Sequence, residues 1–302
     1  MPDLVRKVLI APSSFCALDQ APLDKLKAAR LEIIQNPYGR KLTKDELRAL
    51  LPGVIGLIAG LEPLTRDVLE KSDLKVISRC GVGLSNVDLW AANELGIIVC
   101  STPDSPTAAV AELTIGMMLS LLRMVPRMDG DLHQGQSTKR IGIQLEGKTV
   151  VIVGFGRIGR RVASLLAPFH GKVLPVDPYL APNCDVAVIP LHEALPQADI
   201  VTLHCGGEAC ILGETEFKLL KPGAFLLNAA RGGLLDEKAL VKSLDEGRIA
   251  GAWLDTFEQE PYQGPLTRYP QVILTPHVGS YTQECRRRME LEAVENLLAA
   301  LR

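Results

Sequence analysis

No CxxC pair occurs in the chain, its charges nearly cancel, and no apolar run is long enough to cross a membrane. Each absence removes a class of protein. The seven cysteines (Cys16, Cys80, Cys100, Cys184, Cys205, Cys210 and Cys285) are odd in number and irregularly spaced. That pattern argues against a disulfide framework and against a structural zinc site, so no metal is expected. Most of them should be buried small hydrophobes, and a reducing cytoplasm is the expected compartment. A formal charge of −2 gives no electrostatic footprint for nucleic acid or an anionic membrane. No apolar stretch reaches about 18 residues, and no N-terminal segment joins a basic region to an apolar run and a cleavage site. What remains is 302 residues, 47% hydrophobic and 23% charged, enough for two domains that each bury a core.

The first hundred residues alternate between two periodicities. Val8–Ala11, Glu32–Ile34, Val54–Ala59, Lys75–Arg79 and Ile97–Cys100 read as strands, and helices are expected near 22–30, 43–51, 65–71 and 86–95. Thr43 with Glu46 forms a candidate capping box, and Gly96 suits a helix C′ position. Such alternation predicts a parallel sheet with helices on both faces. Thr107–Val125 then reads as one long helix, apolar almost all round, which suits a junction between domains and a subunit interface. Residues 129–146 are polar and contain glycine, so a loop is expected there. Later strands are Ile200–His204, Ala224–Asn228, Ile249–Leu254 and Val272–Leu274, and a helix closes the chain at Gln283–Leu301.

The stretch TVVIVGFGRIGRRVASLLAPFHGKVLPVD (149–177) carries the most information. An apolar β-branched run feeds Gly154-Phe155-Gly156-Arg157-Ile158-Gly159. Gly154 allows a tight turn, Gly156 lets a pyrophosphate approach the backbone, and Gly159 lets the next helix pack closely. The helix N-terminus offers free N–H groups to phosphates. The following strand, Lys172–Val176, ends at Asp177, a carboxylate placed to accept from ribose hydroxyls and to repel a 2′-phosphate. NAD is therefore expected over NADP.

Ligands of open α/β sheets bind beyond the carboxyl ends of strands. Arg231, Asp255, Glu260 and His277 all follow such ends. Arg231, in AARGG, offers a planar fork of donors suited to a carboxylate. His277 can move a proton near neutrality, and Glu260 is a partner that would fix its ring. Asp255 is a candidate acceptor for a nicotinamide carboxamide. His133, His170, His192 and His204 lack such a setting and read as structural.

These residues and their order resemble the D-isomer-specific 2-hydroxyacid dehydrogenases, in the phosphoglycerate dehydrogenase-like branch. The resemblance rests on CGVGLSNVDLWAANELGI (80–97), TAAVAELTIGMMLSLLR (107–123), GKTVVIVGFGRIG (147–159), NAARGGLLDEKAL (228–240), GAWLDTFEQEP (251–261) and ILTPHVGSYT (273–282). It implies two doubly wound, Rossmann-like domains with parallel sheets, the cofactor domain inserted into the substrate domain. The substrate domain would take residues 1–101 and 278–302, and the NAD domain 102–277, with 107–125 as an interdomain and dimerisation helix. A homodimer acting on a small 2-oxo or 2-hydroxy acid is implied, with no nucleic-acid or membrane partner. By motif match, Arg231, Glu260 and His277 form the catalytic set. Gly81, Val82 and Gly83 meet the substrate together with Arg231. Gly154, Gly156, Arg157, Ile158, Gly159, Asp177, Cys205, Ala229, Asp255 and Gly279 line the NAD site. Two departures stand out. Segment 204–213 is shorter than the proline-containing family pattern, and no match exists for the arginine that takes a substrate phosphate. Arg40 and Arg79 are the candidate substitutes. The chain also ends without the regulatory domains of some relatives. An NAD(H)-sensing corepressor is the alternative on this fold, and Glu260 points away from formate enzymes, which pair the histidine with glutamine.

Overall fold

The computed structural model describes residues 6–180, 186–207 and 209–302, so Cys184 lies outside the described residues. The chain forms two compact units, Met1–Pro106 with Tyr281–Arg302, and Thr107–Ser280. Among the described residues no single helix is long and apolar enough to cross a membrane.

In the first unit, β1 (Lys7–Ile10), β2 (Glu32–Gln35), β3 (Val54–Ala59), β4 (Val76–Arg79) and β5 (Ile98–Cys100) form an all-parallel sheet in the order β2-β1-β3-β4-β5. Between them run α1 (Ala21–Ala28), α2 (Lys44–Leu50), α3 (Arg66–Leu69) and α4 (Leu89–Glu94). Successive strand residues point to opposite faces, and both faces are covered. Val8, Ile10, Ile58 and Val76 pack with Met289, Ala293 and Leu297 of the C-terminal helix (Gln283–Ala300), while Leu9, Leu57 and Ile77 pack with Leu47, Val68 and Ala91. The capping box forms as the spacing predicts: Glu46 N donates to Thr43 Oγ1 (3.3 Å) and Thr43 N to Glu46 Oε2 (2.9 Å). Gly96, at φ +69°, ends α4, and the Ile97 amide reaches back to the Ala92 carbonyl at 2.8 Å.

The second unit opens with α5 (Thr107–Leu122) and α6 (Val125–His133), followed by β6 (Thr149–Val153), α7 (Arg157–Leu166), β7 (Lys172–Val176), α8 (Leu191–Ala194), β8 (Ile200–Leu203), α9 (Glu214–Leu219), β9 (Ala224–Asn228), α10 (Glu237–Asp245), β10 (Ile249–Leu254) and β11 (Val272–Leu274). The strands are parallel in the order β11-β10-β9-β8-β6-β7, so the winding reverses between β6 and β8. That reversal opens a crevice at the carboxyl ends of the two strands. One face buries Val151, Val153, Leu203, Leu226 and Leu254; the other buries Val150, Ile152, Leu227 and Trp253 against Ala111, Met118 and Leu122 of α5 and Val162 and Leu166 of α7. Each such side chain removed from water stabilises the unit by roughly 1.5–3 kcal/mol.

Two expectations are corrected. Thr107–Val125 is not one helix: α5 stops at Leu122, Met124 takes φ +51°, and α6 leaves at 66°. Pro126 is the cause, since it cannot donate to the Leu122 carbonyl and its ring would clash there; that carbonyl accepts from Ile143 N instead, at 3.0 Å. The expected loop over 129–146 accordingly begins as helix, through His133. Cysteine burial is also less general than expected. Cys16, Cys80 and Cys285 are buried, Cys100 and Cys205 are half-buried, and Cys210 is exposed.

Candidate active site

The glycine loop leaves β6 at the point where the strand order reverses. Its φ at Gly154 is +91°, and a Cβ there would lie 2.4 Å from the Cys205 amide nitrogen. A Cβ at Gly159 would lie 2.1 Å from the Gly154 carbonyl oxygen, whereas at Gly156 it would meet nothing within 4 Å. Two glycines thus let the loop close against β8 and α7, and the third leaves an open approach to the backbone. Gly156 is the N-cap of α7 and brings no side chain to that end of the helix, the end that suits an anion. Arg157 is exposed there and Ile158 half-buried. Asp177 stands at the end of β7 with Oδ2 accepting from Phe155 N (2.9 Å) and Oδ1 from Tyr179 N (3.0 Å). One carboxylate therefore fixes the loop and keeps further lone pairs at the crevice. Residues of these types in these places fit a dinucleotide.

His204, at the end of β8, shares a 2.9 Å hydrogen bond with Thr202 Oγ1 through Nε2, and its buried Nδ1 has no partner. Burial holds its pKa at about 3, well below the ordinary 6.5. Between those values the unfolded chain binds a proton that the folded chain refuses, so stability is complete above about 6.5 and falls as the pH is lowered. From pH 7 to pH 5 the expected loss through His204 is roughly 2 kcal/mol. Urea titrations at the two pH values check this: His204→Gln should show a clearly smaller loss, and an equal loss would clear His204 of the effect.

Beyond β10 and β11 the catalytic candidates meet. His277 Nδ1 lies 3.1 Å from Glu260 Oε2. A carboxylate only accepts, so Nδ1 carries the proton and Nε2 is the free ring nitrogen. Both side chains are partly open, at 43% and 38% exposure. Glu260 is held from behind by Phe257 N, which donates to Oε1 at 3.2 Å. The Arg231 turn abuts the same loop, because a Cβ on Gly232 would collide with the Phe257 carbonyl carbon at 1.8 Å. Arg231 Nη1 donates to the Ala230 carbonyl (2.7 Å), and half-buried Ala229 precedes it.

Asp255 sits differently from its expected place in an open cofactor pocket. It is 1% exposed and takes three internal donors: Thr275 Oγ1 (2.6 Å) and Val278 N (2.8 Å) on Oδ1, and Gly279 N (2.8 Å) on Oδ2. Sequence reasoning missed two of its neighbours. Asn228, fully buried, accepts from Ala230 N (3.0 Å), donates to the Arg231 carbonyl (2.8 Å), and takes the Asp255 amide on its own carbonyl (2.9 Å). Thr275 is the other. Both are polar residues ending apolar strands, the signal that pointed to Arg231.

Gly81, Val82 and Gly83 lie in the first unit, after β4. Gly81 N donates to Thr102 Oγ1 (2.8 Å), Val82 is exposed, and the Arg79 guanidinium fills the space a Gly81 side chain would take. Arg40 forks onto Glu46 at 2.5 and 2.9 Å and depresses that carboxyl to about 2, so it is engaged on the surface.

A doubly wound sheet with a glycine loop at its switch point and an acid on the next strand defines a dinucleotide-binding α/β protein. The particular family follows from the comparisons. "D-isomer specific 2-hydroxyacid dehydrogenase, NAD binding domain" matches residues 115–279. The D-3-phosphoglycerate dehydrogenase of Methanocaldococcus jannaschii is 39% identical over 274 residues, 86% of this chain and 52% of the relative. The hydroxypyruvate reductase of Thermotoga maritima is 35% identical over 273 residues, 86% of this chain and 89% of the relative. A crystal structure of a glyoxylate reductase from Paecilomyes thermophila matches with a TM-score of 0.89 at 28% identity, covering 100% of this chain and 96% of that one. The chain belongs to the D-isomer specific 2-hydroxyacid dehydrogenase family and carries its NAD-binding domain. It spans about half the length of the phosphoglycerate dehydrogenases it matches.

Proposed function

We propose that the protein interconverts a small 2-oxo acid and its D-2-hydroxy acid with NAD(H), using His277 as the acid/base. The observation that carries this reading is the His277–Glu260 pair at 3.1 Å beside the Arg231 turn. The chemistry that bound NAD(H) supplies is hydride transfer at C2 of the acid. Gly154, Gly156, Arg157, Ile158 and Gly159 would hold its phosphates and Asp177 its ribose, with Cys205, Ala229 and Gly279 around the remainder. The rest of the work falls to side chains. Arg231 holds the substrate carboxylate in its fork and offsets charge that grows on the C2 oxygen. His277 Nε2 gives that oxygen a proton in reduction and takes it back in oxidation. Glu260 fixes the ring through Nδ1 and stabilises the imidazolium. By motif match, Gly81, Val82 and Gly83 would present backbone to the substrate. The protein works as a cytoplasmic homodimer joined through α5.

Oxidation of NADH and NADPH across glyoxylate, hydroxypyruvate, pyruvate and branched 2-oxo acids, with 3-phosphoglycerate in the reverse direction, tests the reading. Selective turnover with NADH preferred over NADPH is the expected result. Silence across the panel with NADH bound would overturn it and favour the NAD(H)-sensing role.

A further inference from the structure

Trp253 is wholly buried in the second unit, on the sheet face that packs against α5 and α7. A buried indole N–H needs an acceptor, and it finds Thr275 Oγ1 at 2.9 Å. The direction of every proton that follows is forced. The indole only donates, so the Thr275 oxygen accepts from it. The hydroxyl then has one proton to give, and it gives it to Asp255 Oδ1 at 2.6 Å. Asp255 in turn takes the amides of Val278 and Gly279, the two peptides that immediately follow His277.

His277 itself adopts φ +55°, the left-handed region that side chains with a Cβ disfavour. Histidine enters this region more readily than most residues with a Cβ, and here named bonds hold it. The restraints are few and identifiable: His277 N donates to the Thr275 carbonyl at 3.0 Å, and Asp255 grips the two following amides. Thr275 takes part in both, through its carbonyl and through the hydroxyl that steadies Asp255. Its own place is set by the sheet, since Thr275 N donates to the Leu254 carbonyl at 3.0 Å in continuation of the β10–β11 pairing.

We propose that Thr275 is a positioning residue. The hydrogen-bonded strut Trp253–Thr275–Asp255 transmits the rigid geometry of the sheet core to the His277 turn, and so aims the imidazole. The consequence for turnover rests on the acid/base reading of His277; the strut itself does not.

The test compares Thr275→Val, which keeps shape and loses the hydroxyl, with Thr275→Ser, which keeps the hydroxyl. Two readouts are needed, one independent of activity. In hydrogen–deuterium exchange the peptide covering 276–280 should lose protection at least about 10-fold in Thr275→Val and keep it in Thr275→Ser. In steady-state kinetics Thr275→Val should lower kcat by roughly 10- to 100-fold, with KM and NADH affinity within about twofold, and Thr275→Ser should restore most of kcat. Unchanged exchange in Thr275→Val would overturn the strut whatever the enzyme does. Lost protection with unchanged kcat would leave the strut standing and overturn its role in aiming His277. Equal damage from Thr275→Ser would show that the hydroxyl is not the agent, and would overturn the proposal. If the unaltered protein turns over no acid, the reading of its activity fails, and the exchange experiment still decides the strut.

Discussion

Replacing His277 with asparagine is expected to lower kcat by roughly 10²- to 10⁴-fold, the range that loss of a positioned general acid produces, while NADH affinity stays within about twofold. Asparagine is the informative choice. His277 holds φ +55°, and asparagine tolerates the left-handed region better than alanine does, so the turn survives the substitution. The bonds that hold the turn also survive, because Asp255 grips the amides of Val278 and Gly279 and no His277 side-chain atom takes part in that grip. What disappears is the Nδ1 bond to Glu260 and the ring nitrogen opposite it. Steady-state kinetics and NADH fluorescence titration on the same preparation separate the two effects. Parallel loss of binding and turnover would mean that His277 supports the cofactor site; retained turnover would remove it from the chemistry.

Much of this site was legible before any coordinates, and the reason is local. The strand TVVIV, the glycine spacing and Asp177 each express a local constraint: a buried strand, a tight turn, an acid at the end of the next strand. The strand order follows from right-handed crossovers between such units. The capping box at Thr43 and Glu46 is likewise confined to four residues and forms as expected. Asp177 already shows where locality ends. Its bond to Phe155 N crosses from one strand end to the preceding loop, and it gives the carboxylate a second duty that the spacing alone does not show.

The features that escaped are those in which side chains from different strands meet. Trp253 reads in sequence as one more apolar residue of IAGAWL, and nothing there shows that its N–H reaches a hydroxyl on the neighbouring strand. Asn228 reads as a strand end, yet its side chain determines the Arg231 turn. Arg40, a candidate for an anionic substrate, is held by Glu46 in a contact that depends on how the loop before α2 folds back. The break between α5 and α6 is a different case. Pro126 lies one residue beyond the apolar run over 107–125, and its effect reaches back a full turn, so the first helix ends at Leu122 inside that run.

Replacing Arg231 with alanine should cost at least as much as the histidine change, and on a different parameter. A guanidinium paired with a carboxylate in a closed site makes two parallel charge-assisted bonds, and breaking a buried charge pair costs about 3–5 kcal/mol. That corresponds to roughly 10²- to 10⁴-fold in kcat/KM, with KM carrying a large share because the carboxylate is gripped in the ground state as well. The backbone at this position does not depend on the guanidinium. Asn228 holds the Arg231 carbonyl and the Ala230 amide, and Gly232 is locked against the Phe257–Glu258 peptide, so folding and NADH binding should be spared. Arg231→Lys separates fork from charge: a single ammonium matches one carboxylate oxygen, and it should recover only a small part of the loss. Added guanidinium ion should restore a measurable fraction of activity to the alanine variant and none to the lysine variant, whose side chain fills the space. Full activity in Arg231→Lys would reduce the role of Arg231 to simple charge, and an unaltered KM in Arg231→Ala would remove it from the carboxylate site.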